Sequence, residues 1–174
     1  MGGLDKGWVE WQGRPLVEQV MARLQPQVDA VLVSANRSLG RYRALGCEVV
    51  EDDPAMGGAF AGPLAGMICV LRATRASHVA FVPCDAPAFP GDLVARLRSA
   101  ARTPGRAAVA SCGGRWQSVF CLLPVELGPA LEALFRAGER RPETALRTLG
   151  AKVAQFDSVE AFANVNEPPG EGGR

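Results

Sequence analysis

Three kinds of residue in this chain have the types and placement to handle a phosphorylated ligand. The first is the opening string Met1-Gly2-Gly3-Leu4-Asp5-Lys6-Gly7. Glycines let backbone N–H groups approach phosphate oxygens, and a lysine adds a compact positive charge. The second is Asp85, held between Pro83 and Pro87 directly after an apolar run. A carboxylate there can hold Mg²⁺, a hard ion that prefers oxygen. The third is Asn164-Val165-Asn166, whose two amides fall on one face of an extended stretch. Taken singly, each has a plain structural use: a solvated lysine, a turn aspartate, a tied-down loop.

Other polar positions sit where strands should end. Ala30-Val31-Leu32-Val33 is a short apolar run typical of a strand buried on both faces, and Ser34, Ala35 and Asn36 close it. Asn36 is placed to cap a short helix over 37–45, with Gly46 as its stop. A strand over 48–51 leads to Asp52 and Asp53 in a Gly- and Pro-rich loop. Gly62-Pro63-Leu64-Ala65-Gly66 then starts a buried helix with proline near its first turn. Its small residues suit close approach of a base or ribose, or tight helix–sheet packing. Arg14, Arg140 and Arg141 are surface arginines within reach of a phosphate chemistry. Trp8, Trp11 and Trp116 are expected to be packing residues, with Trp116, beside Gln117, also suited to line a slot for a flat ring.

The elements that must position these groups alternate. A helix with Leu16, Val20 and Leu24 at four-residue spacing precedes the first apolar run. A buried strand over 78–82 is followed by a helix carrying Leu93, Val94 and Leu97. A strand pair over 107–111 and 119–123, helices over 126–137 and 143–149, a strand over 152–156 and a short helix over 159–162 complete the pattern. Such alternation implies an α/β fold, a mostly parallel sheet with helices on both faces. Ligands in such folds bind beyond the carboxyl ends of the strands, which directs attention to Asn36, Asp52 and Asp85.

Composition narrows the function classes. With 19 basic and 18 acidic residues the net charge is +1, leaving no cationic excess for nucleic acid. No apolar run reaches the ~18 residues of a membrane span, and no secretory signal opens the chain. Five cysteines without a CxxC spacing and one histidine argue for reduced thiols rather than disulfides or zinc. Three of them, Cys69, Cys84 and Cys121, lie in apolar runs and are expected to be buried. The expected compartment is the cytoplasm.

The order of the strings is more specific than any one of them. M-G-G-x-D-K-G, G-R-P-L-V-E, S-A-N-R, V-V-E-D, G-P-L-A-G-M, V-P-C-D-A-P and F-A-N-V-N-E-P follow one another from Met1 to about Pro168. Together they resemble the molybdenum cofactor guanylyltransferase family. The resemblance implies a single-domain Rossmann-like nucleotidyltransferase fold over residues 1–167, with 168–174 a disordered tail. It implies transfer of GMP from GTP to the terminal phosphate of molybdopterin, with Mg²⁺, releasing pyrophosphate.

By motif, Lys6 and Asp85 correspond to the catalytic pair, and Asp85 to the metal ligand. Gly2, Gly3, Asn36, Asp52, Gly62, Leu64 and Gly66 correspond to nucleotide contacts, and Asn164 and Asn166 to pterin contacts. Recipient apo-molybdoenzymes and other cofactor-biosynthesis proteins are the implied protein partners. Two other readings fit the same strings: a nucleotidyltransferase using CTP or another acceptor, and a protein that binds molybdopterin without turnover.

One departure stands out. The family opens with a buried strand, an L-A-G-G string and an arginine ahead of the M-G-G, and Met1 of this chain occupies that methionine. A start codon placed too late is one explanation, and a short paralogue is another. Either way, unpaired backbone groups are expected on the neighbouring strands, with low stability and turnover in the chain as written.

Overall fold

The computed structural model describes residues 5–57, 62–102 and 105–165. Gly2, Gly3 and Asn166 lie outside them. The architecture is set by strands whose successive side chains go to opposite faces. In the strand β6 (Ala108–Cys112), Ala108, Ala110 and Cys112 enter one core, and Val109 enters another. In β7 (Arg115–Pro124), Phe120 and Leu122 follow the first set, and Cys121 and Leu123 the second. The first core is closed by helices α1 (Leu16–Leu24) and α4 (Leu93–Ala101). The second is closed by α3 (Pro63–Ala73), α5 (Gly128–Arg136) and α6 (Pro142–Thr148). Helices therefore cover both faces, as alternation implied.

The main sheet has the order β5-β7-β6-β8, with β5 at His78–Phe81 and β8 at Lys152–Phe156. β7 runs antiparallel to both β5 and β6, while β6 and β8 are parallel. Three strands thus share one direction, and β7 is the reversed member of a mixed sheet. The β6–β7 turn uses Gly113 and Gly114, both with positive φ, a geometry glycine adopts without strain. A short hairpin, β1 (Glu10–Trp11) with β2 (Arg14–Pro15), precedes α1.

A second, separate sheet consists of β3 (Leu32–Ser34) and β4 (Glu48–Val50), paired in parallel. Among the described residues β3 pairs only with β4, and β5 only with β7. The unpaired edges of β3 and β5 open on one cavity of about 830 Å³.

Two local expectations need correction. The helix placed at 37–45 is shorter: α2 spans Leu39–Arg43, preceded by Ser38 at φ 53°. Asn36 does not cap it, because its amide is bonded across the sheet to Asp52. Cys84 is exposed rather than buried, since β5 ends at Phe81 and Cys84 lies beyond it on the cavity wall. Cys69, Cys112 and Cys121 are buried, and all five thiols are free.

Candidate active site

Lys6 and Asp85, separated by 79 residues, meet at the carboxyl end of β5, with Nζ 3.3 Å from Oδ2. Asp85 is anchored from behind. Ala86 and Phe89, which follow it, are both fully buried in the first core. Its carboxylate side chain is 9% exposed, against 63% for Lys6. A buried carboxylate here meets an exposed ammonium group from the solvent side. The backbone carbonyl of Asp85 accepts from Val165 N–H at 2.7 Å, which brings Asn164 beside this edge.

Lys6 is held in turn by a small aromatic cluster. It begins a 3-10 turn, Lys6–Trp8, closed by Trp8 N–H donating to the Asp5 carbonyl at 3.0 Å. Asp5 Oδ1 accepts from Tyr42 Oη at 2.6 Å, and the rings of Trp8 and Tyr42 lie 5.1 Å apart. Arg41 caps the outer face of Trp8 at 3.9 Å, a favourable cation–π contact. Gly7 is buried against Tyr42, so closely that a Cβ there would lie 2.5 Å from Tyr42 Oη. Burial, then the hydrogen bond to Asp5, hold the Tyr42 hydroxyl well above its usual range, so it stays a proton donor. Among the described residues, two buried polar atoms here, Asp5 Oδ2 and Trp8 Nε1, have no hydrogen-bond partner. Neither Asp5 nor Tyr42 was singled out from sequence. The hint available was that Tyr42 is the sole tyrosine, in a segment otherwise rich in surface residues.

The other polar cluster sits at the ends of β3 and β4. Asn36 Nδ2 donates to Asp52 Oδ2 at 2.8 Å, and Asp52 N–H donates to Asn36 Oδ1 at 2.8 Å. This reciprocal pair ties the two strand ends together. Gly66 of α3 packs against it: an added Cβ would stand 2.9 Å from Ser34 Oγ and 3.4 Å from Asp52 Oδ1. Gly62, at φ 88°, caps α3 and faces the same space. Asn36, Asp52, Gly62, Gly66 and Asp85 all line the one cavity.

Leu64 does not join them. It is fully buried in the second core, because the first turn of α3 already points its apolar side into the sheet. Its side chain packs in that core.

The remaining sequence candidates have structural partners. Asp53 caps the turn Pro54–Met56 by accepting from Ala55 N–H, and pairs with Arg72 at 3.0 Å. Arg140 stacks on Phe135 and donates to its carbonyl. Arg14 lies 3.7 Å from Glu18. Trp116 is covered by Arg147 at 4.0 Å. Cys84 lines the cavity next to Asp85. Desolvation, then the charges of Asp85 and Asp5, push its thiol up to about 11.

Among the described residues no group of three metal-ligating side chains forms a cage. Mg²⁺ does not require one. It retains waters and is held through one or two carboxylates plus substrate phosphates. A buried Asp85 carboxylate suits that mode, and Asp5 Oδ2 is a second buried carboxylate oxygen without a hydrogen bond.

The geometry accords with what the chain is similar to. Residues 1–154 match the model of the MobA-like NTP transferase domain. A molybdenum cofactor guanylyltransferase from Shewanella halifaxensis is 42% identical over 170 residues, covering 97% of this chain and 84% of that protein. One from Pseudomonas aeruginosa strain PAO1 is 39% identical with the same coverage. Among solved structures, the molybdopterin-guanine dinucleotide biosynthesis protein A from Archaeoglobus fulgidus superposes with a TM-score of 0.71 at 19% identity, over 95% of this chain and 86% of that one. The 2-C-methyl-D-erythritol 4-phosphate cytidylyltransferase from Thermus thermophilus gives 0.70 at 20% identity, over 94% and 88%. These two likenesses carry the fold. The chain belongs to the MobA-like NTP transferase family, in its molybdenum cofactor guanylyltransferase branch, and is a nucleotidyltransferase.

Proposed function

We propose that this protein transfers GMP from GTP to the terminal phosphate of molybdopterin, giving the guanine dinucleotide form of the cofactor and pyrophosphate. The observation that carries the reading is the buried Asp85 carboxylate in contact with Lys6, in a chain 39% to 42% identical to proteins of that name. A phosphate oxygen of molybdopterin attacks the α-phosphorus of GTP. One P–O bond forms, the bond from the α-phosphorus to the bridging oxygen breaks, and that electron pair leaves on pyrophosphate.

Such transfers need positioning and charge stabilisation rather than a covalent nucleophile. Lys6 would release Asp85 and neutralise the triphosphate as negative charge grows on the leaving oxygens. Asp85 would hold Mg²⁺, which polarises the phosphoryl oxygens when bound. Asn36 and Asp52, pre-paired at the strand ends, would meet the nucleoside, with Gly62 and Gly66 giving it room; Gly2 and Gly3 would approach the phosphates. Asn164 and Asn166 would face the pterin from the Asp85 edge. The free thiols suit the reducing cytoplasm, where we place the reaction. No helix among the described residues is long and apolar enough to cross a membrane.

The test is pyrophosphate release from GTP and from CTP, each with Mg²⁺, with and without molybdopterin. Release that needs both GTP and molybdopterin supports the reading. Equal or greater release with CTP, or none in the presence of GTP and molybdopterin, contradicts it.

A further inference from the structure

Asp52, tied to Asn36 across the ends of β3 and β4, opens a turn that docks on one side of α3. Residues of α3 at three-residue steps, which are surface neighbours on a helix, meet that turn in order. A Cβ at Gly66 would stand 3.4 Å from Asp52 Oδ1. Cys69 Sγ accepts from Asp53 N–H at 3.2 Å and lies 3.9 Å from the Met56 sulfur. Arg72 Nη1 donates to Asp53 Oδ2 at 3.0 Å, while Ala55 N–H donates to Asp53 Oδ1 at 2.9 Å. Arg72 is itself held from α5. Its Nη2 reaches Glu132 Oε1 at 2.7 Å, and Arg136 reaches the same oxygen at 2.5 Å. The hydrogen bond from Arg72 holds the Glu132 carboxyl below its usual range. An isolated surface ion pair contributes little. Here one planar guanidinium, whose fork suits two acceptors, spans carboxylates on two separate elements, and the turn it grips is also fixed by a cap and a sulfur contact.

We propose that Arg72 is a positioning residue for the nucleotide: braced by Glu132, it acts through Asp53 to fix Asp52 on the cavity wall. Asn36, Asp52, Gly62 and Gly66 line the cavity, whereas Asp53, Cys69, Arg72 and Glu132 stand behind it. The link from Asp53 to Asp52 is the planar peptide that joins them. Its N–H is held by Cys69, and the Asp52 N–H on the other side is held by Asn36 Oδ1 at 2.8 Å. Both peptide planes flanking Asp52 are therefore set by hydrogen bonds. Without Arg72, the first of them keeps only a sulfur acceptor and the local turn cap. The inference rests on the reading that Asn36 and Asp52 meet the nucleoside. The nucleoside is not the reacting part of the nucleotide, so looser positioning there weakens binding rather than the chemical step.

The test measures GTP affinity by equilibrium dialysis with Mg²⁺, and KM and kcat for transfer, in the full chain and in Arg72→Ala, Arg72→Lys and Glu132→Gln. Hydrogen exchange is followed in parallel. Arg72→Ala should raise the Kd and KM for GTP by about fivefold or more and leave kcat and the KM for molybdopterin within about twofold. Arg72→Lys, which keeps a charge for Asp53, should recover most of the loss. Glu132→Gln should shift the same constants in the same direction by about twofold, and it carries the test if Arg72→Ala does not fold. Exchange should quicken at amides 52–56 and stay unchanged in β6 and β7. Wild-type binding of GTP with an unchanged Kd in Arg72→Ala and Glu132→Gln overturns this inference alone. So does faster exchange spread over the whole domain, or a fall in kcat without a rise in KM. A wild-type chain that binds no GTP overturns the nucleotide reading and this inference with it.

Discussion

Gly7 is the position where a single methyl group should report most on how Lys6 is held. Its backbone is not in the left-handed region, so alanine is conformationally permitted there and gains about 0.4–1 kcal/mol through the unfolded chain. The obstacle is Tyr42, whose Oη would lie 2.5 Å from the new Cβ. Tyr42 is 3% exposed, stacked near Trp8 and bonded to Asp5 at 2.6 Å, so it has little room to retreat. Overpacking of this kind costs about 1–3 kcal/mol. Displacing Oη also removes the hydrogen bond of Asp5, whose other oxygen has none, at a further cost of about 1–3 kcal/mol.

The net expectation for Gly7→Ala is a loss of about 2–4 kcal/mol, or roughly 5–15 °C in Tm for a domain of this size. In Tyr42→Phe the offending oxygen is gone, and the next ring atom stands 3.4 Å from the Cβ. Gly7→Ala should then cost under about 1 kcal/mol. Urea melts of the wild type, the two single variants and the double variant give the coupling, expected at about 2 kcal/mol. Additive losses would refute the claim that Tyr42 Oη is what excludes a side chain at position 7.

Two further outcomes concern thiols. Cys84 is exposed but its thiol is pushed from 9.0 to about 11. Its alkylation by iodoacetamide at pH 8 should therefore run roughly a hundredfold slower than that of an ordinary thiol. Asp85→Asn should restore part of the rate, because desolvation rather than the Asp85 charge is the larger cause. Cys121 is fully buried and its thiol is pushed up to about 12 by that burial. A folded pKa above the unfolded one stabilises below about pH 9 and loses that contribution as pH climbs toward the folded value. Urea stability should fall above pH 9 with a slope approaching ~1.4 kcal/mol per pH unit from this group. Cys121→Ala should lower stability at pH 7 yet flatten the alkaline slope; an unchanged slope counts against the burial argument.

Periodicity made much of the fold legible, and contacts between distant segments account for what it missed. The strand placed at 152–156 coincides with β8, and Leu93, Val94 and Leu97 do form the buried side of α4. These follow from which side chains must leave water. Asn36 illustrates the limit. One amide can cap the next helix or bridge to a neighbouring strand, and only the parallel pairing of β3 with β4 decides for the bridge. The Asp5–Tyr42 bond spans 37 positions and carries no local pattern. The approach of Lys6 to Asp85 was equally invisible to spacing; it was suggested by resemblance, and the fold places the two groups 3.3 Å apart.

The claim at the centre of this account is that Asp85, with Lys6, supports nucleotidyl transfer. It is tested most directly by following label from [α-³²P]GTP into molybdopterin, with the wild-type chain and Asp85→Asn side by side, each shown to be folded by its thermal melt. The account predicts labelled dinucleotide from the wild type and a loss of at least about a hundredfold, ~2.7 kcal/mol of transition-state stabilisation, in the variant. Equal transfer by the two proteins would contradict it.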